Sequence, residues 1–170
     1  MSAEQAPLIV SALFAPADLS WLDGLRRAHF PPERNVLAAH LTLFHHLPPS
    51  ILPELKGRIA DLVRQASPLA RTRGLQSLGR GVAIRIDSSV LEDIRADLAE
   101  AFAPLLTPQD QARWRPHVTI QNKVAPNVAL ALLGSLEQGW CDQPVGVAGI
   151  GIFFYRGGPW EPVSRHMFRG

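Results

Sequence analysis

The feature that most constrains this chain is that it reads twice. The same order of apolar periods, β-α-β-α-β, runs through each half. The second strand of each half carries one tetrapeptide pattern, His40-Leu41-Thr42-Leu43 and His117-Val118-Thr119-Ile120, 77 positions apart. Alternate side chains on a strand share a face, so His40 and Thr42 point one way while Leu41 and Leu43 point the other, and the second copy behaves alike. If a pseudo-two-fold axis relates the halves, the two histidine-threonine pairs converge across one cleft.

In the first half, Leu8 to Phe14 is a short apolar strand, and Ala17 to His29 carries Leu19, Leu22, Leu25 and Ala28 at helical spacing. Pro31-Pro32 stops that helix. A strand Leu37 to Phe44, a helix Ile51 to Gln65 and a strand Ala70 to Leu78 follow. The second half opens at Gly79-Arg80-Gly81 with strand Val82 to Ile86, then a helix Ser89 to Ala103 with Ser88 or Ser89 as its cap. Strand Pro116 to Asn122, helix Asn127 to Gln138 and strands Val145 to Phe154 and Val163 to Phe168 complete it. The Pro/Gly-rich stretches are too short for linkers. The reading is one domain over 1–170, with lobes of about 1–78 and 79–170 and strand exchange between them left open.

With 46% hydrophobic residues in 170, the chain can bury a substantial core, which excludes a disordered protein. Its 17 Lys and Arg against 15 Asp and Glu leave +2, which argues against tight, sequence-independent duplex binding. Any nucleic-acid substrate is held locally. The single cysteine, Cys141, cannot form an internal disulfide or a thiolate metal site and points to a reducing compartment. The N-terminus has no basic leader region, and its apolar run breaks at Pro16, far short of the roughly 20 residues of a membrane span. The expectation is a cytoplasmic protein without a membrane segment, with no protein partner implied and a monomer as the default state.

Two histidines on an open face suit in-line displacement at phosphorus. One group must take a proton from the attacking oxygen, another must give one to the leaving oxygen, and the unperturbed histidine pKa near 6.5 serves both. Thr42 and Thr119 can donate hydrogen bonds to non-bridging phosphate oxygens. A single His-x-Thr is an ordinary piece of amphipathic strand, since threonine favours strands. Two in matching places of a repeat are not so easily dismissed.

Further candidates follow from strand parity. Phe44 shares the His40 face, as cleft lining or as a platform for a base. Tyr155, in the run Phe153-Phe154-Tyr155, is a second stacking candidate. Arg115 has an extended backbone because Pro116 follows, and it lies on the His117 face, where it can meet phosphate. A metal reading of His40, His45 and His46 is set aside, because a continuous strand puts His46 about 20 Å from His40. No metal and no cofactor are expected.

On these motifs the sequence resembles the two-histidine (2H) phosphoesterase superfamily, whose members include the bacterial 2′-5′ RNA ligase / cyclic phosphodiesterase family. The likeness covers nearly the whole chain. It rests on both His-x-Thr-x motifs, on Arg115-Pro116 before the second, and on Phe153-Phe154-Tyr155 through Trp160. It implies a bilobal α+β fold of the LigT-like kind, with antiparallel sheets around a central cleft and no metal. It implies His40 and His117 as the paired acid and base, and Thr42 and Thr119 as phosphate ligands. Close relatives often follow the second motif with a small residue and an arginine. Here Gln121-Asn122-Lys123 stands, and parity puts Gln121 and Lys123 on the His117 face, where Lys123 could supply the cation.

The activity this implies is metal-independent hydrolysis of 2′,3′-cyclic phosphate ends of RNA or of cyclic nucleotides, with 2′-5′ ligation as the reverse. Two alternatives stand beside it: a non-catalytic nucleotide- or RNA-binding module, and an esterase acting on an ADP-ribose-type cyclic phosphate. Which histidine is acid and which base is left open.

Overall fold

Prolines begin most of the helices. In the computed structural model, which describes residues 6–170, helices α1 (Pro16–His29), α2 (Leu52–Leu62), α4 (Pro108–Gln111) and α5 (Pro126–Glu137) each carry a proline in the first two positions. There the missing N–H has no partner to lose. Helix α3 (Ser89–Ala101) is capped by Ser88, whose hydroxyl accepts from the Leu91 amide. The first five residues, on which the leader-free reading of the N-terminus partly rests, lie outside the described residues.

Among the described residues seven strands form one sheet system: β1 (Leu8–Phe14), β2 (Leu41–Leu47), β3 (Leu69–Ser77), β4 (Val82–Asp87), β5 (His117–Gln121), β6 (Pro144–Phe154) and β7 (Glu161–Met167). The order is β2-β1-β6-β3-β4-β5, with β7 added beside β6, and every named pairing is antiparallel. Within each half the first and second strands pair, but the third crosses over. β3 lies against β4, and β6 lies against β1. Each half therefore completes the other's sheet, and neither run of sequence owns a whole layer.

Leu22, Leu55, Leu91, Ile94 and Leu98 from the helices meet Leu8, Leu41, Leu43, Ile84 and Val118 from the strands in one buried cluster. At the β4–β5 edge a side chain is excluded at Gly81, where a Cβ would stand 1.9 Å from the Gln121 carbonyl oxygen.

The motif strands depart from regular pairing at matching places. Ser11 faces Thr42, but the next pair is Val10 with Phe44. Ala83 faces Thr119, but the next pair is Val82 with Gln121. In both, the motif strand spends two residues against one on its partner, a bulge that reverses the parity of the residues after it. Leu43 and Phe44 are consequently both buried, as are Ile120 and Gln121. The repeat thus extends beyond residue identity to the same backbone irregularity after each threonine.

The structure moves several expected boundaries. The first motif strand begins at Leu41, not Leu37. The chain before it is held by α1, with the Ala39 amide donating to Asp23 Oδ1 at 2.9 Å and Arg26 Nε donating to the Leu37 carbonyl at 3.1 Å. Its backbone groups thus find side-chain partners where a strand would have used a neighbour. Helix α2 ends at Leu62 and the last strand spans Glu161–Met167. The short α4 has no apolar stripe that could have announced it.

Candidate active site

His40 stands one residue before β2, and His117 opens β5. Each ring is fixed in the same way. His40 Nδ1 lies 2.8 Å from the Ala38 carbonyl and His117 Nδ1 lies 2.7 Å from the Arg115 carbonyl, in both cases the residue two positions back. A carbonyl oxygen only accepts, so both Nδ1 atoms carry the hydrogen and both Nε2 atoms are left to exchange a proton with a substrate. Both histidines, both threonines, Arg115 and Trp160 line one cavity of about 310 Å³. The duplication therefore brings the two motifs to a common space.

The two histidines differ in their surroundings. Burial pulls the His40 pKa down to about 4, and the positive charges of Arg26, His117 and His45 act in the same sense, against the hydrogen bond to Ala38. In the free protein His40 is neutral at neutral pH and ready to accept a proton. The negative charge of a bound phosphate would oppose this depression and strengthen it as a base.

The motif strands are held from the opposite half. Buried Arg26, on α1, donates from Nη1 to the Thr119 carbonyl at 2.9 Å. Buried Arg95, on α3, donates from Nε to the Leu43 carbonyl at 2.8 Å and from Nη2 to the Asp110 carbonyl at 2.7 Å. Trp114 Nε1 donates to the Thr42 carbonyl at 3.0 Å. Arg26 stacks on Phe30 and Arg95 on Phe44, with centroid distances of 4.1 and 4.0 Å. Cationic forks thus tie each motif to the helix layer of the other half, which sets the relative position of the two catalytic candidates.

A second irregularity of β2, between the pairs Val10–Phe44 and Leu8–Leu47, leaves the His45 and His46 amides outside the ladder. The carboxylate of Asp110, 1% exposed, accepts from both at 3.0 Å and also meets His45 Nδ1 at 3.0 Å. Burial alone would raise the Asp110 pKa, but these hydrogen bonds and the nearby His45 hold it below the usual range. Among the described residues no group of three or more His, Cys, Asp or Glu is arranged to hold a metal ion, and no helix is long and apolar enough to cross a membrane.

Three expected contacts are corrected. Phe44 does not share the His40 face, because the bulge at Leu43 turns it into the core beneath Arg95. Lys123 does not continue the His117 face: the second bulge buries Gln121, β5 ends there, and Lys123 turns away in a left-handed conformation with φ of 64°. Tyr155 is exposed beyond the end of β6 and is not among the residues lining the cavity, its amide donating to the Pro7 carbonyl. Trp160 takes the aromatic place, its ring 4.6 Å from that of His40 and 5.6 Å from that of Phe153. Arg115 does line the cavity.

Arg26, Arg95, Asp110, His45 and Trp160 were not singled out by the sequence as site residues. A faint signal existed for the arginines, each bordering an apolar helical stripe, Leu22/Leu25 and Leu91/Ile94/Leu98. Trp160 is brought in by the β6–β7 connection, which no periodicity foretells.

A model of the 2′-5′ RNA ligase superfamily matches residues 14–159. No curated protein sequence matches the chain. Among solved structures, the Thermus thermophilus protein TT0787 superposes with a TM-score of 0.63 at 18% identity, covering 96% of this chain and 98% of that one. Escherichia coli LigT complexed with 3′-AMP superposes with a TM-score of 0.61 at 17% identity, covering 98% and 99%. LigT has also been crystallised with NADP+. At such identities these structures establish a shared fold.

Proposed function

This chain belongs to the 2′-5′ RNA ligase superfamily, an enzyme superfamily of the two-histidine phosphoesterase type, and on that premise we propose that it hydrolyses 2′,3′-cyclic phosphates of RNA ends or nucleotides without a metal. The observation that carries this reading is the pair of histidines lining one cavity, each with Nδ1 tied to the carbonyl two residues back and Nε2 free. A site that only bound phosphate would have no use for two proton-exchanging groups at equivalent positions.

The roles follow from the burial of His40. His40, neutral in the free protein, takes a proton from water as the water oxygen bonds to phosphorus. His117 gives its Nε2 proton to the departing ribose oxygen as the P–O bond breaks, and the product is a phosphate monoester. Thr42 and Thr119 hold non-bridging oxygens through their hydroxyls, and Arg115 offsets the developing negative charge. Trp160, beside His40, offers an apolar face for the ribose or base. With a 5′-hydroxyl in place of water as the entering group and the 3′ oxygen as the leaving group, the same kind of in-line displacement gives a 2′-5′ linkage. Opening 2′,3′-cyclic AMP gives 2′-AMP or 3′-AMP according to which ribose oxygen leaves, and 3′-AMP is a ligand with which LigT was crystallised, which supports the substrate class.

The test is incubation of the protein with 2′,3′-cyclic AMP in EDTA and ¹⁸O-labelled water. The expected result is conversion to a single AMP isomer with one labelled oxygen on phosphorus. Binding of the nucleotide without turnover would instead favour a binding module, and turnover restricted to an ADP-ribose-type cyclic phosphate would change the substrate.

A further inference from the structure

Beside the histidine cavity lies a larger one of about 590 Å³, and the two share Arg113, Trp114 and Arg115 as a common wall. The second cavity is lined by four arginines, Arg73, Arg85, Arg113 and Arg115, against two carboxylates, Asp87 and Glu92. Arg73 is paired with Asp87. Arg85, Arg113 and Arg115 are exposed and have no carboxylate partner among the described residues. Three unpaired guanidinium groups around one cavity, against the single unpaired carboxylate of Glu92, raise the local potential, and planar forks of this kind match phosphate oxygens.

Register ties this cavity to the catalytic face. Arg85 on β4 is the direct cross-strand partner of His117 on β5. Residues opposite one another in an antiparallel pair project to the same side, with Cβ atoms about 5 Å apart. The equivalent position beside the first motif is apolar: Ala12 faces Leu41, so Leu13 falls opposite His40. A third cavity on that side is lined by Leu13, Phe153 and Trp160, with Arg165 as its one cation among the described residues. The pseudo-symmetric cleft is thus chemically polarised, aromatic beyond His40 and cationic beyond His117. One phosphate at the histidines, met by Arg115, would leave Arg73, Arg85 and Arg113 unused.

We propose that the cavity lined by Arg73, Arg85, Arg113 and Arg115 is a second phosphate subsite, which selects substrates carrying a phosphate beyond the one being cleaved. The inference rests on the hydrolytic reading above and narrows it. The extra phosphate comes from one of two sources of the same chemistry, the next internucleotide phosphate of an RNA end or a 5′-phosphate on the nucleotide itself.

Three substrates separate these: adenosine 2′,3′-cyclic phosphate, the same compound with a 5′-phosphate, and a diadenosine dinucleotide ending in a 2′,3′-cyclic phosphate. For the wild type, kcat/KM is expected to be about tenfold or more higher on at least one phosphate-bearing substrate than on the plain one, the scale of a charge-assisted contact. Its log–log salt dependence should be steeper by about 0.7 for the added phosphate. Arg85→Gln should remove this preference and Arg85→Glu should reverse it, while both variants keep the wild-type rate on the plain substrate. A gain with the 5′-phosphate identifies a nucleotide phosphate; a gain with the dinucleotide alone identifies RNA. Equal kcat/KM on all three substrates in the wild type, or a preference that Arg85→Gln retains, overturns the proposal and leaves the hydrolytic reading intact. If none of the three turns over, that reading has failed, and calorimetry with adenosine 3′-phosphate and adenosine 3′,5′-bisphosphate judges the subsite. Tighter binding of the bisphosphate by about tenfold, lost in Arg85→Gln, supports it, and equal affinities overturn it.

Discussion

His40→Ala and His117→Ala are each expected to lower kcat/KM on 2′,3′-cyclic AMP by at least about a hundredfold, the scale of losing a positioned general acid or base. Both rings are partly exposed and each makes one hydrogen bond, to the carbonyl two residues back, so the variants should fold as the wild type does. The double variant should fall little further than the poorer single one. In-line displacement needs a proton removed and a proton delivered together, and groups that act as a unit do not contribute additively. Steady-state kinetics with circular dichroism as a control checks this. A loss confined to KM in either variant would make that histidine a binding group only.

The second large effect is on stability. Asp110→Ala removes the acceptor of the His45 and His46 amides and the partner of His45 Nδ1 in one step. Two main-chain donors at an irregular strand are then left without a protein partner, and the cost is about 3 kcal/mol. In a domain of this size that lowers Tm by on the order of 10 °C. Asp110→Asn keeps one accepting oxygen and should lose about half as much. The sign of the pH dependence is set by the lowered Asp110 pKa. The wild-type advantage is present above the unfolded-state aspartate value and disappears as pH falls through the lower folded value. Melting curves of wild type and Asp110→Ala should therefore converge in strong acid. A Tm unchanged in Asp110→Ala at neutral pH would show that water serves those amides equally well.

Much of this was legible in the sequence because it depends on local periodicity. Leu19, Leu22 and Leu25 gave α1, and the alternation around His40 and His117 gave the faces on which those side chains lie. The duplication then implied a shared cleft before any coordinates. Parity failed at Phe44, Gln121 and Lys123, since a bulge changes the count of residues against a partner strand and no property of the bulged residue announces it. The crossing of β3 and β6 between halves was left open, because alternation along a strand does not say which neighbour it will have. Arg26 and Arg95 look like surface cations in a helical pattern. Only the neighbouring strand's carbonyls, 93 and 52 residues away in the chain, give them a buried purpose. The sites hardest to read were thus those whose partners lie far along the sequence.

At the centre of the mechanism we propose, His40 begins the reaction unprotonated and accepts the proton of the attacking water. The pH dependence of kcat/KM, which reports groups of the free enzyme, tests this most directly on the wild type and on His40→Ala. In the expected wild-type profile the acidic limb falls with unit slope only below about 4, and the residual activity of His40→Ala lacks that limb. An acidic limb centred near the unperturbed histidine value of about 6.5, or the same limb in both proteins, would contradict the assignment of His40 as the base.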